Sequence, residues 1–299
     1  MSKVKNKSQN LKVLFLGSGL FAAQVIEELA KQKFPLDEVL GLLDKKAGRG
    51  QKNIELPVKL AVQKTDYNLT EFISKEEFSN ILESSKSDVV VVADFGWIIF
   101  DNDLKKAKKA FLNIHPSLLP KYRGPSPIQS AILAGDQSTG VTLMEMDQQM
   151  DHGPIIAQEF VEISAVETTG SLILKTALTG AQLLIDNLPK YLDGSLSPTD
   201  QDHQQATFCQ MIKKIDGQID WTKPAIEIDR QVRALNIWPK ASTTFCGKHL
   251  IIHSGHISGN QYIPDLVQLE GRKIIRWQDF LNGQRISESQ ALLELTAKM

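Results

Sequence analysis

Asn113 and His115 stand two apart in the apolar run Ala110-Phe111-Leu112-Asn113-Ile114-His115. In an extended strand that spacing puts both side chains on one face. An amide side chain can donate to a developing oxyanion. An imidazole can give and take a proton near neutral pH. Further along, Val141 to Met146 reads as another strand, and Asp151-His152-Gly153-Pro154 follows it in a turn. That turn would bring the Asp151 carboxylate to a neighbouring strand end, where it could orient the His115 ring. An Asn, a His and an Asp so placed can carry acyl transfer with no nucleophilic side chain and no metal. Each also has a plainer use, since a His can close a strand end and an Asp can cap a turn. On residue types alone both readings stand.

The elements that must hold these residues have an α/β pattern. Residues 11–16 and 88–93 are short apolar runs, as central parallel strands should be. Val39 to Leu43 and Phe111 to His115 are further strands. Phe21 to Lys31 has helical spacing, with Ala22, Val25, Ile26 and Leu29 on one face. Ser126 to Leu133 and Thr169 to Leu192 read as helices. The expected class is therefore α/β, a Rossmann-like open and mostly parallel sheet. In such sheets ligands bind beyond the carboxyl ends of the strands, where Asn113 and His115 fall.

The chain divides by composition into a polar tail (1–10), a first domain (11–193), a linker (194–205) and a smaller β-rich domain (206–299). The tail is expected to be disordered. The linker stretch, GSLSPTDQDHQQ, is polar with Gly and Pro. In the last region, Pro224 to Leu235 and Ser287 to Ala297 read as helices. Ser242 to Phe245, His249 to His253 and Leu266 to Leu269 read as strands. With 299 residues, 42% hydrophobic and 23% charged, the composition is that of a globular protein and excludes long disorder, collagen and coiled-coil rods. No apolar run approaches the roughly 20 residues that span a bilayer, so no membrane partner is expected. The N-terminus lacks a signal-peptide layout. Cys209 and Cys246 make no disulfide framework and read as buried hydrophobes, so a cytoplasmic location is expected. The net charge of −1 means that any nucleic-acid binding must come from local patches.

Two further patterns invite a ligand. Gly17-Ser18-Gly19-Leu20-Phe21-Ala22 fits G-x-G-x-x-G/A between a strand and a helix, and Asp44 closes the second strand. That combination suggests a dinucleotide site and an NAD-dependent oxidoreductase. The basic loop Lys45-Lys46-Ala47-Gly48-Arg49-Gly50-Gln51-Lys52 that follows argues against it. His249, His253 and His256 suggest a metal cluster, but His256 has the wrong strand parity and no Cys or carboxylate joins them nearby. No metal is expected.

The segment FLNIHPSLLPKYRGPSPIQSAILAGDQSTGVTLMEMDQQMDHGPII resembles the catalytic core of the folate-dependent formyltransferase family. In that family an Asn-x-His-x-SLLP strand and a later Asp-x-Gly carry catalysis, and here they fall on Asn113, His115, Ser117 to Pro120, and Asp151 with Gly153. The resemblance implies 10-formyltetrahydrofolate as co-substrate. It places the pterin beside Phe95, Gly96, Trp97, Ile98 and Ile99, with backbone groups there and in Ser117, Leu118, Leu119 and Pro120 reading its edge. The stretch 95–99 reads equally as core packing. The loop from Asp44 to Lys52 resembles the basic loop of those members that formylate initiator methionyl-tRNA. It implies tRNA contacts from Lys45, Lys46, Arg49 and Lys52. Lys213, Lys214, Arg272, Lys273 and Arg276 offer a second basic patch. Ile219-Asp220-Trp221 and Arg233 to Pro239 resemble the start of the family's C-terminal β-barrel (OB-like), which is shortened here between His256 and Val267. Members that formylate sugar nucleotides are the alternative, and the basic loop is not expected in them. Gly17-Ser18-Gly19-Leu20 departs from the family's Thr-Pro-Asp type of turn.

Overall fold

The computed structural model describes residues 11–47 and 52–296. The first-domain strands are β1 (Val13–Gly17), β2 (Glu38–Leu42), β3 (Lys45–Ala47), β4 (Lys52–Ile54), β5 (Leu69–Phe72), β6 (Val89–Ala93), β7 (Ala110–His115), β8 (Ser138–Glu145) and β9 (Ile155–Glu162). Seven of them form one sheet in the order β5-β2-β1-β6-β7-β8-β9. The pairs β2–β5, β1–β2, β1–β6 and β6–β7 are parallel, and β7–β8 is antiparallel. Every residue of β1 and β6 is buried, which explains their unbroken apolar sequence.

The helices of this region are α1 (Leu20–Lys31), α2 (Pro57–Val62), α3 (Lys75–Ser85), α4 (Asp101–Leu104), α5 (Pro127–Ala134) and α6 (Thr169–Leu192). Helix α1 buries Phe21, Ala22, Val25, Ile26 and Leu29, the stripe its spacing anticipates. Each large apolar side chain there stabilises the fold by about 1.5–3 kcal/mol. Ser74 caps α3 through the Glu77 N–H at 3.1 Å, and the Glu77 carboxylate returns to the Ile73 N–H at 2.9 Å.

The C-terminal region holds α7 (Ala225–Ala234) and an antiparallel sheet of β10 (Ala241–Phe245), β11 (Lys248–Ser258), β12 (Gln261–Leu269) and β13 (Ile275–Arg276). Helices α8 (Trp277–Gln284) and α9 (Glu288–Thr296) follow. Its four strands lie in sequence order, so the shortened barrel expected here is a four-stranded meander. Cys246 and Gly247, both at positive φ, make the two-residue turn between β10 and β11. The core gathers Ile228 and Val232 of α7, Phe245, Leu250 and Ile252 of the sheet, and Trp277, Phe280 and Leu281 of α8. Helix α8 had no counterpart in the sequence reading.

Two spatial units do not follow the chain in order. One gathers the chain up to Arg123 with Gly140–Val161 and Ile173–Phe208, and the other gathers Gly124–Thr139, Glu162–Leu172 and the chain from Cys209. Helix α5 therefore belongs with α7, although the sequence places it in the middle of the first domain. The stretch read as a linker, 194–205, is built into the first unit. Thr199 and Ile155 exchange two backbone hydrogen bonds of 2.8 Å, and just beyond it Thr207 pairs with Pro120 and Arg123. The tail 1–10 lies outside the described residues.

Candidate active site

Strand β7 delivers Asn113 and His115 on one face at its carboxyl end. His115 is only 5% exposed. Its Nε2 lies 3.0 Å from the Tyr122 carbonyl oxygen. A carbonyl can only accept, so Nε2 carries hydrogen and donates. That leaves Nδ1 as the nitrogen that gains or loses a proton. Nδ1 faces the Asp151 Oδ1 at 3.6 Å. The Asn113 Nδ2 donates to the same oxygen at 3.3 Å. The three side chains therefore meet at one carboxylate oxygen.

The turn carrying Asp151 is unusual in its backbone. Asp151 has φ +51°, a left-handed conformation that a non-glycine residue holds only when its surroundings enforce it. Gly153 must be glycine, because a Cβ there would sit 2.1 Å from the Glu145 carbonyl. His152 turns its Nδ1 to Asp147 at 2.6 Å and stacks on His203 with ring centroids 3.9 Å apart. Gln201 donates from one nitrogen to the Asp151 carbonyl (3.0 Å) and the Gly153 carbonyl (2.8 Å). Its oxygen accepts two bonds from the buried Arg123 guanidinium. Sequence reasoning missed Gln201, Arg123 and His203. They lie in polar stretches with no periodicity, and a buried Gln has no spacing that announces it.

Residues 117–120 form a rigid turn with a cis bond between Leu119 and Pro120. Much of its polar surface is already answered. Thr142 donates to the Ser117 carbonyl at 2.7 Å and accepts from the Leu119 N–H at 3.1 Å. Gln158 donates to the Leu119 carbonyl at 2.9 Å, and the Ser117 hydroxyl reaches the Lys121 carbonyl at 2.6 Å. The stretch 95–99 divides in two. Phe95 and Trp97 join Phe72 in an aromatic cluster, with ring centroids 5.5–6.1 Å apart, and Ile99 is buried. Gly96 faces open space and Ile98 is 68% exposed. Packing explains Phe95, Trp97 and Ile99, and does not account for Gly96 and Ile98.

The glycine turn at the end of β1 is closed by the chain itself. Asp94, at the end of β6 with φ +44°, accepts backbone hydrogen bonds from Ser18 (3.1 Å) and Gly19 (3.2 Å) on its carbonyl. Its carboxylate takes the Phe21 N–H at 3.2 Å and also that of Ala22. These are the donors a pyrophosphate would use at a helix N-terminus. A Cβ at Gly19 would lie 1.9 Å from the Asp94 carboxylate, so any larger residue there must displace it. Asp44 is engaged too, accepting from the Leu56 N–H at 3.0 Å and from Lys59 at 2.8 Å. The Lys59 ammonium holds the Asp44 carboxyl below its ordinary range. The dinucleotide reading therefore fails, because an internal carboxylate fills the anion position.

The N-terminal formyl transferase family model matches residues 10–188, and the formyl transferase C-terminal domain matches residues 211–265. The chain belongs to the formyl transferase family. A methionyl-tRNA formyltransferase of Chloroflexus aggregans is 40% identical over 250 residues, covering 83% of this chain and 81% of that one. One from Roseiflexus sp. strain RS-1 is 39% identical, covering 97% of both. Among solved structures, an N-formyltransferase of Helicobacter canadensis, in complex with folinic acid and dTDP-3-aminofucose, aligns with a TM-score of 0.61. It is 21% identical and covers 89% of this chain and 98% of that one, a likeness of fold.

The first family match spans Asn113, His115 and Asp151 together. Of the basic loop expected from the family, Lys45 and Lys46 lie on β3 and Lys52 on β4, paired as an antiparallel hairpin with Lys46 opposite Asn53. Arg49 lies outside the described residues. His253 and His256 turn to separate partners, Gln268 at 3.1 Å and Asp265 at 2.8 Å. Among the described residues, no group of three His, Cys, Asp or Glu is placed to hold a metal. Cys209 is buried and accepts from the Ser126 N–H at 3.3 Å. Cys246 is exposed, against expectation, because the tight turn projects it outward. No helix among the described residues is long and apolar enough to cross a membrane.

Proposed function

We propose that this chain transfers the formyl group of 10-formyltetrahydrofolate to the α-amine of methionine on initiator tRNA, in translation initiation. The observation that carries the chemistry is the single Asp151 oxygen shared by Asn113 at 3.3 Å and His115 Nδ1 at 3.6 Å. The acceptor is supported by the relatives near 40% identity and by the basic stretch 45–52, which holds four cations and no acid.

The neutral amine attacks the formyl carbon. The carbon–nitrogen bond forms and the carbonyl oxygen becomes an oxyanion. Asn113 donates to it from the amide hydrogen that Asp151 does not use. His115, protonated at Nδ1, supplies a charged donor with Asp151 as its counter-ion. As the tetrahedral centre collapses, the bond to folate N10 breaks. Asp151 takes the proton lost by the amine, and His115 gives its Nδ1 proton to N10. No acyl-enzyme forms. Gly96 and Ile98, with the backbone groups of Ser117, Leu118, Leu119 and Pro120, would hold the pterin. Lys45, Lys46, Arg49 and Lys52 hold RNA phosphates, so tRNA affinity falls steeply with salt.

The test is formyl transfer from 10-formyltetrahydrofolate to charged initiator methionyl-tRNA, with Arg49→Ala alongside. Transfer by the wild type and a much weaker variant is the expected result. Transfer to an amino-sugar nucleotide, with none to tRNA, would overturn the acceptor and leave the donor chemistry standing.

A further inference from the structure

We propose that Gln201 is a positioning residue for formyl transfer, holding Asp151 in its working conformation. The proposal rests on the reading of Asp151 as a catalytic residue. Gln201 is 5% exposed and lies in the stretch between α6 and the C-terminal region. Both hydrogens of its amide nitrogen are used, one on the Asp151 carbonyl at 3.0 Å and one on the Gly153 carbonyl at 2.8 Å. Those carbonyls flank His152, so the two bonds clamp the backbone on both sides of the turn. The clamp sets the left-handed φ of Asp151, and that φ aims Oδ1 at Asn113 and His115.

The amide cannot be turned over. Its Oε1 accepts from Arg123 Nε at 3.1 Å and Nη2 at 2.6 Å. A flip would set oxygen against two carbonyls and nitrogen against a guanidinium, which has no acceptor. Arg123 is oriented in turn. Its Nη2 also reaches His203 Nδ1 at 2.8 Å, so that nitrogen must be the acceptor of the ring. His203 stacks on His152 within 8° of parallel. Arg123 is itself anchored at its backbone by Thr207 at 2.9 Å. The chain runs from a buried cation through an amide to the backbone of a catalytic carboxylate. Displacing a reacting group by about 1 Å can cost 10²-fold in rate.

Two variants separate positioning from general stability. Gln201→Ala removes the clamp altogether. Gln201→Glu keeps an anion on Arg123, and so keeps the stretch tied down, but removes both donors to the turn. Each is assayed by formyl transfer well below its melting temperature, with Asp151→Asn as reference. The expected result is a kcat lowered roughly 10–100-fold in both Gln201 variants, with KM for folate and tRNA within about twofold of wild type. A folded Gln201→Glu with wild-type kcat would overturn the proposal while Asp151→Asn stays inactive. So would a loss confined to KM. Full activity in Asp151→Asn would overturn the underlying reading, and this inference with it.

Discussion

The carboxyl ends of β1 and β7 occupy equivalent places in the same sheet, and both carry motifs that invite a ligand. They differ in what answers their polar groups. At the end of β1 the donors of Ser18, Gly19, Phe21 and Ala22 all point at one residue, Asp94. The chain has supplied its own anion, and the glycine that would admit a phosphate admits a carboxylate instead. At the end of β7 the polar groups converge instead on the side chain of Asp151, whose proposed task is to exchange charge with them. Asn113 donates to Asp151 Oδ1 across a long 3.3 Å, and His115 Nδ1 faces the same oxygen from 3.6 Å, beyond hydrogen-bonding distance. Such distances suit groups that tighten when a reacting oxygen arrives. A turn shaped for a ligand marks a site only when its donors are not already used at home.

The sharpest way to break this comparison is Asn113→Ala. Removing one oxyanion donor costs about 2.7–4 kcal/mol in the barrier. The variant should therefore turn over roughly 10²–10³ times more slowly, with folate binding retained. Single-turnover formyl transfer measures it directly. A near-normal rate would mean that β7 is as inert as β1.

At the other strand end the expected losses are in stability. Gly19→Ala puts a methyl where the Asp94 carboxylate sits, so the carboxylate must move off the α1 N–H groups, and losing that cap costs about 1 kcal/mol. Asp94→Ala removes the cap from α1 and costs about 1 kcal/mol. For a domain of this size each kcal/mol lowers Tm by roughly 2–4 °C. The two changes should not add. Once Asp94 is alanine, the methyl at position 19 has room, and Gly19→Ala costs nothing further. Additive shifts in thermal melts of the two single variants and the double variant would show that the carboxylate does not fill the turn.

Most of the fold was legible because buried parallel strands are continuous apolar runs. Residues 11–16 and 88–93 could hardly be anything else, and α1 follows from its stripe. Asn113, His115 and Asp151 were legible as a set, since strand parity and a turn after the next strand bring them together. What escaped was held by groups without periodicity. Asp94 closes the first strand end from a position far away in sequence. Gln201 and Arg123 lie in stretches whose polarity resembles that of an open loop, and their burial comes from tertiary packing alone. The same blindness made 194–205 read as a linker. Helix α5 looked like part of the first domain because sequence order says nothing of which surface a helix packs on.

Asp44 gives the finest test, because the dinucleotide reading and the structure assign it different work. A ribose-binding Asp44 would leave folding untouched and govern NADH binding. The structure instead ties Asp44 to Lys59 and the Leu56 N–H, where it closes the base of the β3–β4 hairpin. The Lys59 ammonium, and then the Leu56 N–H, lower its folded pKa below the ordinary 3.8. A depressed carboxyl stabilises the fold above its unfolded pKa and loses that contribution as pH falls through the folded value. Wild type should therefore exceed Asp44→Asn in Tm at neutral pH, and the two curves should converge below about pH 4. Because the pair lies half-buried at the surface, where solvent still screens it, the gap should be small and should shrink further with salt. Melts from pH 7 to pH 3 read the convergence, and NADH fluorescence should show no saturation in either protein. A saturable NADH signal lost in Asp44→Asn would mean that the first strand end is open after all, and the contrast between β1 and β7 would fall.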